Sequence, residues 1–167
     1  MALISNGAFV EDGWRRLSDE EDLPKGGKCI VPQARLAEAL KVLPSDAPLG
    51  VRVENTADPA GLVPHFARLE LISIAFPAFS DGRGFSLGRL LRRAGFTGEL
   101  RASGRLIADQ ILHALRCGFD TIEVSGDIAS RQDQAQWTKA LSAFGAFYQQ
   151  GYGGRTHILE QRRKAAR

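Results

Sequence analysis

The sequence predicts an α/β protein in which five strand–helix units form a mainly parallel sheet. Short apolar runs begin near positions 28, 49, 69, 99 and 119. Each run is followed by a segment whose apolar residues recur at helical spacing. Because the connections are short, the strands are expected to lie parallel and to be joined by right-handed crossovers.

The segment before this repeat predicts a small antiparallel hairpin and a linker. Asn6-Gly7 and Asp12-Gly13 separate short apolar runs in the first seventeen residues, and such pairs favour tight hairpin turns. An acidic run over residues 18–22 leads into Pro24 and two glycines. The predicted organisation is one domain of 167 residues, with a hairpin and linker (1–27), a βα core (28–150) and a basic tail (151–167).

The first three strands of the repeat are predicted at residues 29–31, 49–53 and 69–76. Pro32 suits the first turn of the helix that follows strand one, because its missing N–H costs nothing there. Asp58 is a typical N-cap for a short helix that has Pro59 at its first position. The third strand is mostly apolar, as expected when both faces of a strand are covered.

The last two strands are predicted at residues 99–102 and 119–124, and the helices around them at 87–94, 106–117 and 130–149. Ser86 is the predicted N-cap of the first of these helices, and Gly95 ends it. The last helix is expected to bury Trp137, Leu141 and Phe144, together with Tyr148, at spacings of three and four.

Two architectures satisfy this alternation: an open doubly wound sheet and a partial βα barrel. A complete eight-fold barrel typically takes about 250 residues, more than the 167 in this chain. We favour the open sheet slightly. In both architectures, ligands gather at the carboxyl ends of the strands.

The loop at residues 81–86, Asp-Gly-Arg-Gly-Phe-Ser, follows the third strand and is the predicted functional site. Its glycines let the backbone approach a ligand, and the N-terminus of the next helix attracts anions. Arg83 adds a forked donor that matches phosphate and carboxylate geometry. The alternative is a structural turn in which Arg83 clamps Asp81 and Ser86 only caps its helix.

Arg101, on the fourth strand, could point toward the same edge as this loop, and Gly104 begins the following loop. The hypothetical anion site therefore comprises Asp81, Gly82, Arg83, Gly84, Ser86, Arg101 and Gly104, with Asp109 and Gln110 as secondary candidates. No base, nucleophile or metal cluster accompanies these residues in the sequence, so no catalytic residue is assigned.

No metal or cofactor is evident from the sequence. His65 and His157 stand apart from any cluster of carboxylates or cysteines. Cys29 and Cys117 lie in apolar segments and are predicted to be buried structural thiols. The glycines of the predicted loop region spell G-x-G-x-x-x-G, which departs by one position from the dinucleotide-binding fingerprint.

Charge and composition limit the classes of partner and the cellular location that can be expected. The net charge of +3 could suggest nucleic acid, but much of the excess falls in the tail and no nucleic-acid motif accompanies it. The longest apolar stretch is far shorter than the roughly 20 residues that span a bilayer. No export signal is visible at the N-terminus, so the cytoplasm is the expected location. The oligomeric state is left open.

The longest distinctive string in the sequence is the run at residues 76–86. The segments that accompany it are 30–32, 98–102, 109–110 and 118–120. Together they resemble an uncharacterised bacterial family, a domain of unknown function commonly encoded beside assimilatory sulfite reductase and often labelled an oxidoreductase of sulfite reduction.

The resemblance implies a context in sulfur assimilation and assigns no catalytic role. Two hypotheses follow from it. In the first, the protein is an accessory or oxidoreductase-associated component that binds an oxyanion or a phosphorylated ligand at the 81–86 loop. In the second, it is a non-catalytic module that docks on the sulfite reductase machinery. Arg105 occupies a position where relatives often carry an acidic residue, which argues against a carboxylate role there.

Overall fold

The computed structural model describes residues 1–24 and 26–142, which form an eight-stranded mixed sheet with five α-helices. The strands are β1 (Ala2–Ser5), β2 (Ala8–Val10), β3 (Arg15–Arg16), β4 (Cys29–Pro32), β5 (Leu49–Val53), β6 (Leu71–Phe76), β7 (Glu99–Gly104) and β8 (Thr121–Val124). The helices are α1 (Leu36–Val42), α2 (Arg83–Arg93), α3 (Ile111–Arg116), α4 (Gly126–Arg131) and α5 (Gln134–Ser142). Short 3-10 turns lie at Gln33–Arg35, Pro59–Gly61, Val63–His65 and Ala108–Gln110.

The strand order is β2-β1-β8-β7-β6-β5-β4-β3. All neighbours from β3 to β8 are parallel, whereas β1 pairs antiparallel with both β8 and β2. These pairings confirm the α/β class and a mainly parallel sheet with an antiparallel edge. Because β4 to β8 follow one another in chain order, the sheet lacks the reversal of strand order that defines a doubly wound sheet.

The sheet is strongly curled, as its connectivity requires. The edge strands β2 and β3 are joined by residues 11–14 alone, a link that spans at most about 18 Å. Eight flat strands would place the two edges roughly 34 Å apart. The curl also brings Arg16 on β3 into contact with Ser103 on β7 and Glu123 on β8. The favoured doubly wound arrangement is therefore wrong, and the curled sheet with this strand order fits the alternative of a partial barrel.

The two faces of the sheet differ in chemistry. Side chains alternate along each strand, so one face carries Val31, Val51, Ile72, Leu100 and Ile122 into the main hydrophobic core with the helices. The opposite face, here called the polar face, lies inside the curl. It carries Arg16, Arg52, Ser73, Arg101, Ser103 and Glu123.

The N-terminal hairpin is confirmed, and its first turn is the predicted one. Asn6 and Gly7 both have positive φ, 50° and 79°, as a two-residue hairpin turn with matching twist requires. Asp12-Gly13 makes no second hairpin, because β3 runs parallel to β4. The Asp12 carboxylate instead accepts a hydrogen bond from the backbone N–H of Trp14.

The predicted helix at residues 130–149 is two helices in the described part of the chain. α4 ends before Asp133, whose carboxylate accepts the backbone N–H of Gln136 at the start of α5. Trp137 is buried as predicted. Phe144, Tyr148 and the predicted basic tail lie outside the described residues. Within residues 1–24 and 26–142, the helices are too short or too polar to cross a membrane.

Candidate functional site

The 81–86 loop leads directly into α2, which begins at Arg83 with Gly82 in the N-cap position. Ser86 therefore lies inside the helix, exposed, and the prediction that it caps the helix is wrong. Asp81 supplies the capping interaction instead, because its Oδ1 accepts a hydrogen bond from the backbone N–H of Arg83 at 3.2 Å. A carboxylate at this position also suits the partial positive charge of a helix N-terminus.

Arg83 is turned onto Asp81. Its Nε and Nη2 donate to the two carboxylate oxygens at 2.9 and 2.6 Å, and Asn55 donates to the same carboxylate at 2.8 Å. These hydrogen bonds, first from Arg83 and then from Asn55, hold the pKa of Asp81 well below its usual range. The loop thus adopts the clamped arrangement that the sequence left as an alternative, and its role as an anion site stays a prediction.

Two of the predicted site glycines are required by packing around Phe76. A Cβ on Gly84 would lie 2.4 Å from Cζ of Phe76, so the glycine lets α2 approach the sheet closely. Gly104 has φ of +136°, and a Cβ there would lie 2.3 Å from the Phe76 carbonyl oxygen. Gly82 differs, because a Cβ there would make only ordinary contact with Phe85.

Gly84→Ala is therefore expected to lower the free energy of unfolding by about 1–3 kcal/mol, as overpacking of a well-filled core typically does. Gly82→Ala is the matched control, with an expected change within about 0.5 kcal/mol. Urea unfolding followed by circular dichroism measures both. Equal stabilities of the two variants would contradict this account of the glycines.

Of the two secondary candidates, Gln110 holds neighbouring loops together. Gln110 donates from Nε2 to the Phe79 carbonyl at 2.8 Å and accepts the backbone N–H of Ile107 at 3.2 Å. Asp109 is exposed. Arg105, which follows Gly104, lies 3.7 Å from the carboxylate of Asp127.

Arg101 lies on the polar face and is only 1% exposed. Its neighbour Leu100 points to the other face and contributes to the core with Leu87 and Leu91 of α2. The structure therefore separates Arg101 from the 81–86 loop by the thickness of the sheet. The sequence alone does not tell which face of the sheet Arg101 is on, because side chains alternate between the two faces along a strand. The pairing of β7 with β6 and β8 assigns Arg101 to the inside of the curl.

Inside the curl, Arg101 is the centre of a buried ionic network. Its Nη1 donates to Asp12 at 2.6 Å and its Nη2 to Glu99 at 3.0 Å. Glu99 also accepts the hydroxyl of Thr121 at 2.7 Å. Burial lowers the pKa of Arg101, but the hydrogen bonds and charges of Asp12 and Glu99 outweigh it and raise the pKa above its ordinary value.

Arg16 extends this network to the edge strand β3. Its Nη2 donates both to Ser103 at 2.9 Å and to Glu123, whose side chain is 6% exposed. Asp12, Arg16 and Glu123 are not among the site residues predicted from the sequence. Glu123 did carry a signal, since it is an isolated carboxylate in a strand that is otherwise mostly apolar.

A cleft of about 340 Å³ opens beside Arg16, at the carboxyl ends of β3, β4 and β5. It is lined by Arg16, Leu17, Ser18, Asp19, Glu21, Pro32 and Arg52. The carboxyl edge of parallel strands is where α/β proteins usually bind ligands, and this volume lies within the usual range for small-molecule sites. Ser18, Asp19 and Glu21, from the segment that was predicted to be a linker, line this cleft.

Arg52 differs from the other two arginines of the polar face. It is half-buried, and among the described residues no hydrogen-bond or ion-pair partner is found for its guanidinium group. Ser73 lies beside it in register on β6, fully buried, with a hydroxyl that also lacks a partner among the described residues. An arginine and a serine without partners thus lie next to each other.

Neither a metal site nor an activated cysteine nucleophile is supported by the described part of the chain. No group of three or more His, Cys, Asp or Glu residues there could hold a metal ion. Cys29 and Cys117 are buried, as predicted, and burial raises the pKa of both thiols. A raised pKa leaves little thiolate at neutral pH, so neither thiol is an activated nucleophile.

A comparison with curated proteins returned no match for this chain. Residues 50–158 match the model of a family described as bacterial protein of unknown function (DUF934). The match covers more than half of the chain, from β5 past the end of α5, and includes the 81–86 loop, Arg52 and Arg101. The chain therefore belongs to this family of bacterial proteins.

Proposed function

We propose that this protein binds a small anion in the cleft beside Arg52, with Arg16 as a second contact. The observation that carries this proposal is that Arg52 is half-buried and that its guanidinium group lacks a partner among the described residues. Buried charges in proteins are normally paired, because removing an ion from water costs several kcal/mol. An anion in the cleft would supply the missing partner.

The donors available in the cleft favour a carboxylate or an oxyanion. A guanidinium group presents parallel N–H donors that match both ligand types. No described residue accepts a hydrogen bond from the guanidinium group of Arg52, so all of its N–H donors are available to a ligand. Arg16 uses only Nη2 for its two protein hydrogen bonds, so Nε and Nη1 remain available. Glu123 and Ser103 hold the Arg16 side chain in place, which lowers the entropy cost of binding.

The biological role that we propose is that of an accessory or oxidoreductase-associated protein of sulfite reduction. Its support is the resemblance to proteins encoded beside assimilatory sulfite reductase. The alternative, a non-catalytic module that docks on the reductase machinery, draws support from Phe79, which is 61% exposed next to the 81–86 loop. Co-purification of sulfite reductase with the tagged chain is the expected result for the docking module, and recovery of the free protein alone would count against that alternative.

Arg52→Gln is the variant that tests the proposed site. Sulfate, sulfite, phosphate and acetate are the probes, each compared with chloride at equal ionic strength. An anion at ten times its Kd is expected to stabilise the wild-type fold by about 1.4 kcal/mol, which raises the melting temperature by roughly 3–6 °C. We expect Arg52→Gln to remove this stabilisation, as measured by differential scanning fluorimetry and calorimetric titration.

Arg83→Gln is the matched control, because it removes the exposed arginine of the 81–86 loop and leaves the cleft unchanged. We expect it to retain the full ligand-induced rise in melting temperature. If Arg83→Gln loses the response and Arg52→Gln keeps it, the 81–86 loop is the anion site and the cleft is not. If none of the four anions stabilises the wild-type protein, the proposed function fails.

A further inference from the structure

The cleft presents charges of both signs. Arg52 and Arg16 lie among its lining residues with Asp19 and Glu21. Glu21 is already engaged, because its carboxylate accepts the backbone N–H of Ser18 at 2.7 Å and pairs with Arg15 at 3.0 Å. Asp19 has no cation within ion-pair distance in the described part of the chain and interacts with Arg35 only at longer range. The cleft thus combines an unpaired cation with an unpaired carboxylate.

The charge balance of the polar face disfavours an occupant with two negative charges. Next to the cleft, the carboxylates of Asp12, Glu99 and Glu123 face the guanidinium groups of Arg16 and Arg101. Three negative and two positive charges leave this network one unit negative. The positive charge of Arg52 balances this net negative charge, although Arg52 makes no ion pair with the network. With Arg52 included the polar face is neutral, so a dianion would leave two uncompensated negative charges beside it, whereas a ligand that carries its own cation would add no net charge.

Leu17 and Pro32 contribute apolar surface to the lining. The occupant that satisfies all these features has a carboxylate for Arg52, an ammonium group for Asp19 and a small apolar body. We infer that the ligand of this cleft is a small zwitterion of the α-amino acid class. This inference rests on the proposed anion site and narrows its ligand.

Calorimetric titration with matched probes tests the inference on the full chain. L-alanine carries both charges, acetate only the anion, ethylamine only the cation, and phosphate mostly two negative charges at mildly basic pH, where the titrations are run. We expect L-alanine to bind at least tenfold more tightly than acetate or phosphate, and ethylamine to bind more weakly than L-alanine. Arg52→Gln is expected to abolish binding of both L-alanine and acetate.

Asp19→Asn is the decisive variant, because it should weaken L-alanine binding about tenfold without weakening acetate binding, which loses only a like charge from the cleft. Asp22→Asn is its matched control, since Asp22 is exposed on the same segment and does not line the cleft; it should leave both ligands unaffected. Circular dichroism confirms that each variant is folded.

Equal affinities of wild-type protein for acetate and L-alanine, or tighter binding of phosphate, would overturn the zwitterion inference and leave the anion site standing. An unchanged L-alanine affinity in Asp19→Asn would overturn it too, whereas absence of any anion binding would refute the proposed function itself.

Discussion

Arg101→Met is expected to lower the free energy of unfolding by about 3–5 kcal/mol, because it removes the cation from a buried ionic network. The side chain is 1% exposed and pairs with Asp12 and Glu99, with Glu123 at 3.9 Å. Methionine fills much of the same volume, so the loss comes mainly from carboxylates that remain beside the sheet without their partner. Urea unfolding at neutral pH measures the difference.

Two further variants make this prediction specific to charge. Arg89→Met replaces an exposed arginine on α2 and is expected to change stability by less than about 0.5 kcal/mol. Adding Asp12→Asn to Arg101→Met removes one of the uncompensated charges and should recover part of the lost stability. If the double variant is as unstable as the sum of the two single variants, the arginine acts through packing and the ionic account is wrong.

Arg92→Met is the second large effect, with an expected loss of about 2–4 kcal/mol. Its Nε donates to the carbonyl of Gly118, and its Nη1 donates to the carbonyls of Phe96 and Gly98, each at 2.8 Å. It also forms an ion pair with Asp120. One side chain thus ties the C-terminal end of α2 to the loops that precede β7 and β8, and its removal leaves three carbonyls without a donor.

Arg93→Met is the appropriate control for Arg92→Met, because Arg93 is the exposed neighbour on the same helix. The urea concentration at the midpoint of unfolding should be the same for Arg93→Met as for the wild-type protein. Hydrogen exchange adds a local test, since the amides of residues 94–100 should lose protection in Arg92→Met. Wild-type protection in that segment, together with an unchanged unfolding midpoint, would contradict the role given to Arg92.

Local features of the fold were predictable because they depend on neighbouring residues. Asn6-Gly7 specifies its hairpin turn, since few residue pairs tolerate two positive φ angles. Asp58 caps its 3-10 turn through the backbone N–H of Ala60, as the sequence predicts. The strands were recognisable from short apolar runs. Such patterns carry no information on how far a sheet curls, because curling depends on contacts between distant strands.

The site was harder to predict for two physical reasons. The glycines of the 81–86 loop suggest ligand approach, yet Gly84 is explained by close packing on Phe76, and a sequence cannot distinguish these two uses. Arg52 looks like an ordinary strand arginine, and its significance appears only when pairing places it on the polar face beside Ser73. Its lack of a partner among the described residues is a three-dimensional property.

The most direct test of the anion site is nuclear magnetic resonance of arginine side chains during titration with acetate and with L-alanine. The Nε–H signals of wild-type protein are assigned through single variants of Arg16, Arg52 and Arg83. If the cleft is the binding site, the signals of Arg52 and Arg16 shift together and saturate with one Kd, and the signal of Arg83 stays in place. A saturable shift of Arg83 with no change at Arg52 would contradict the account and return the site to the 81–86 loop.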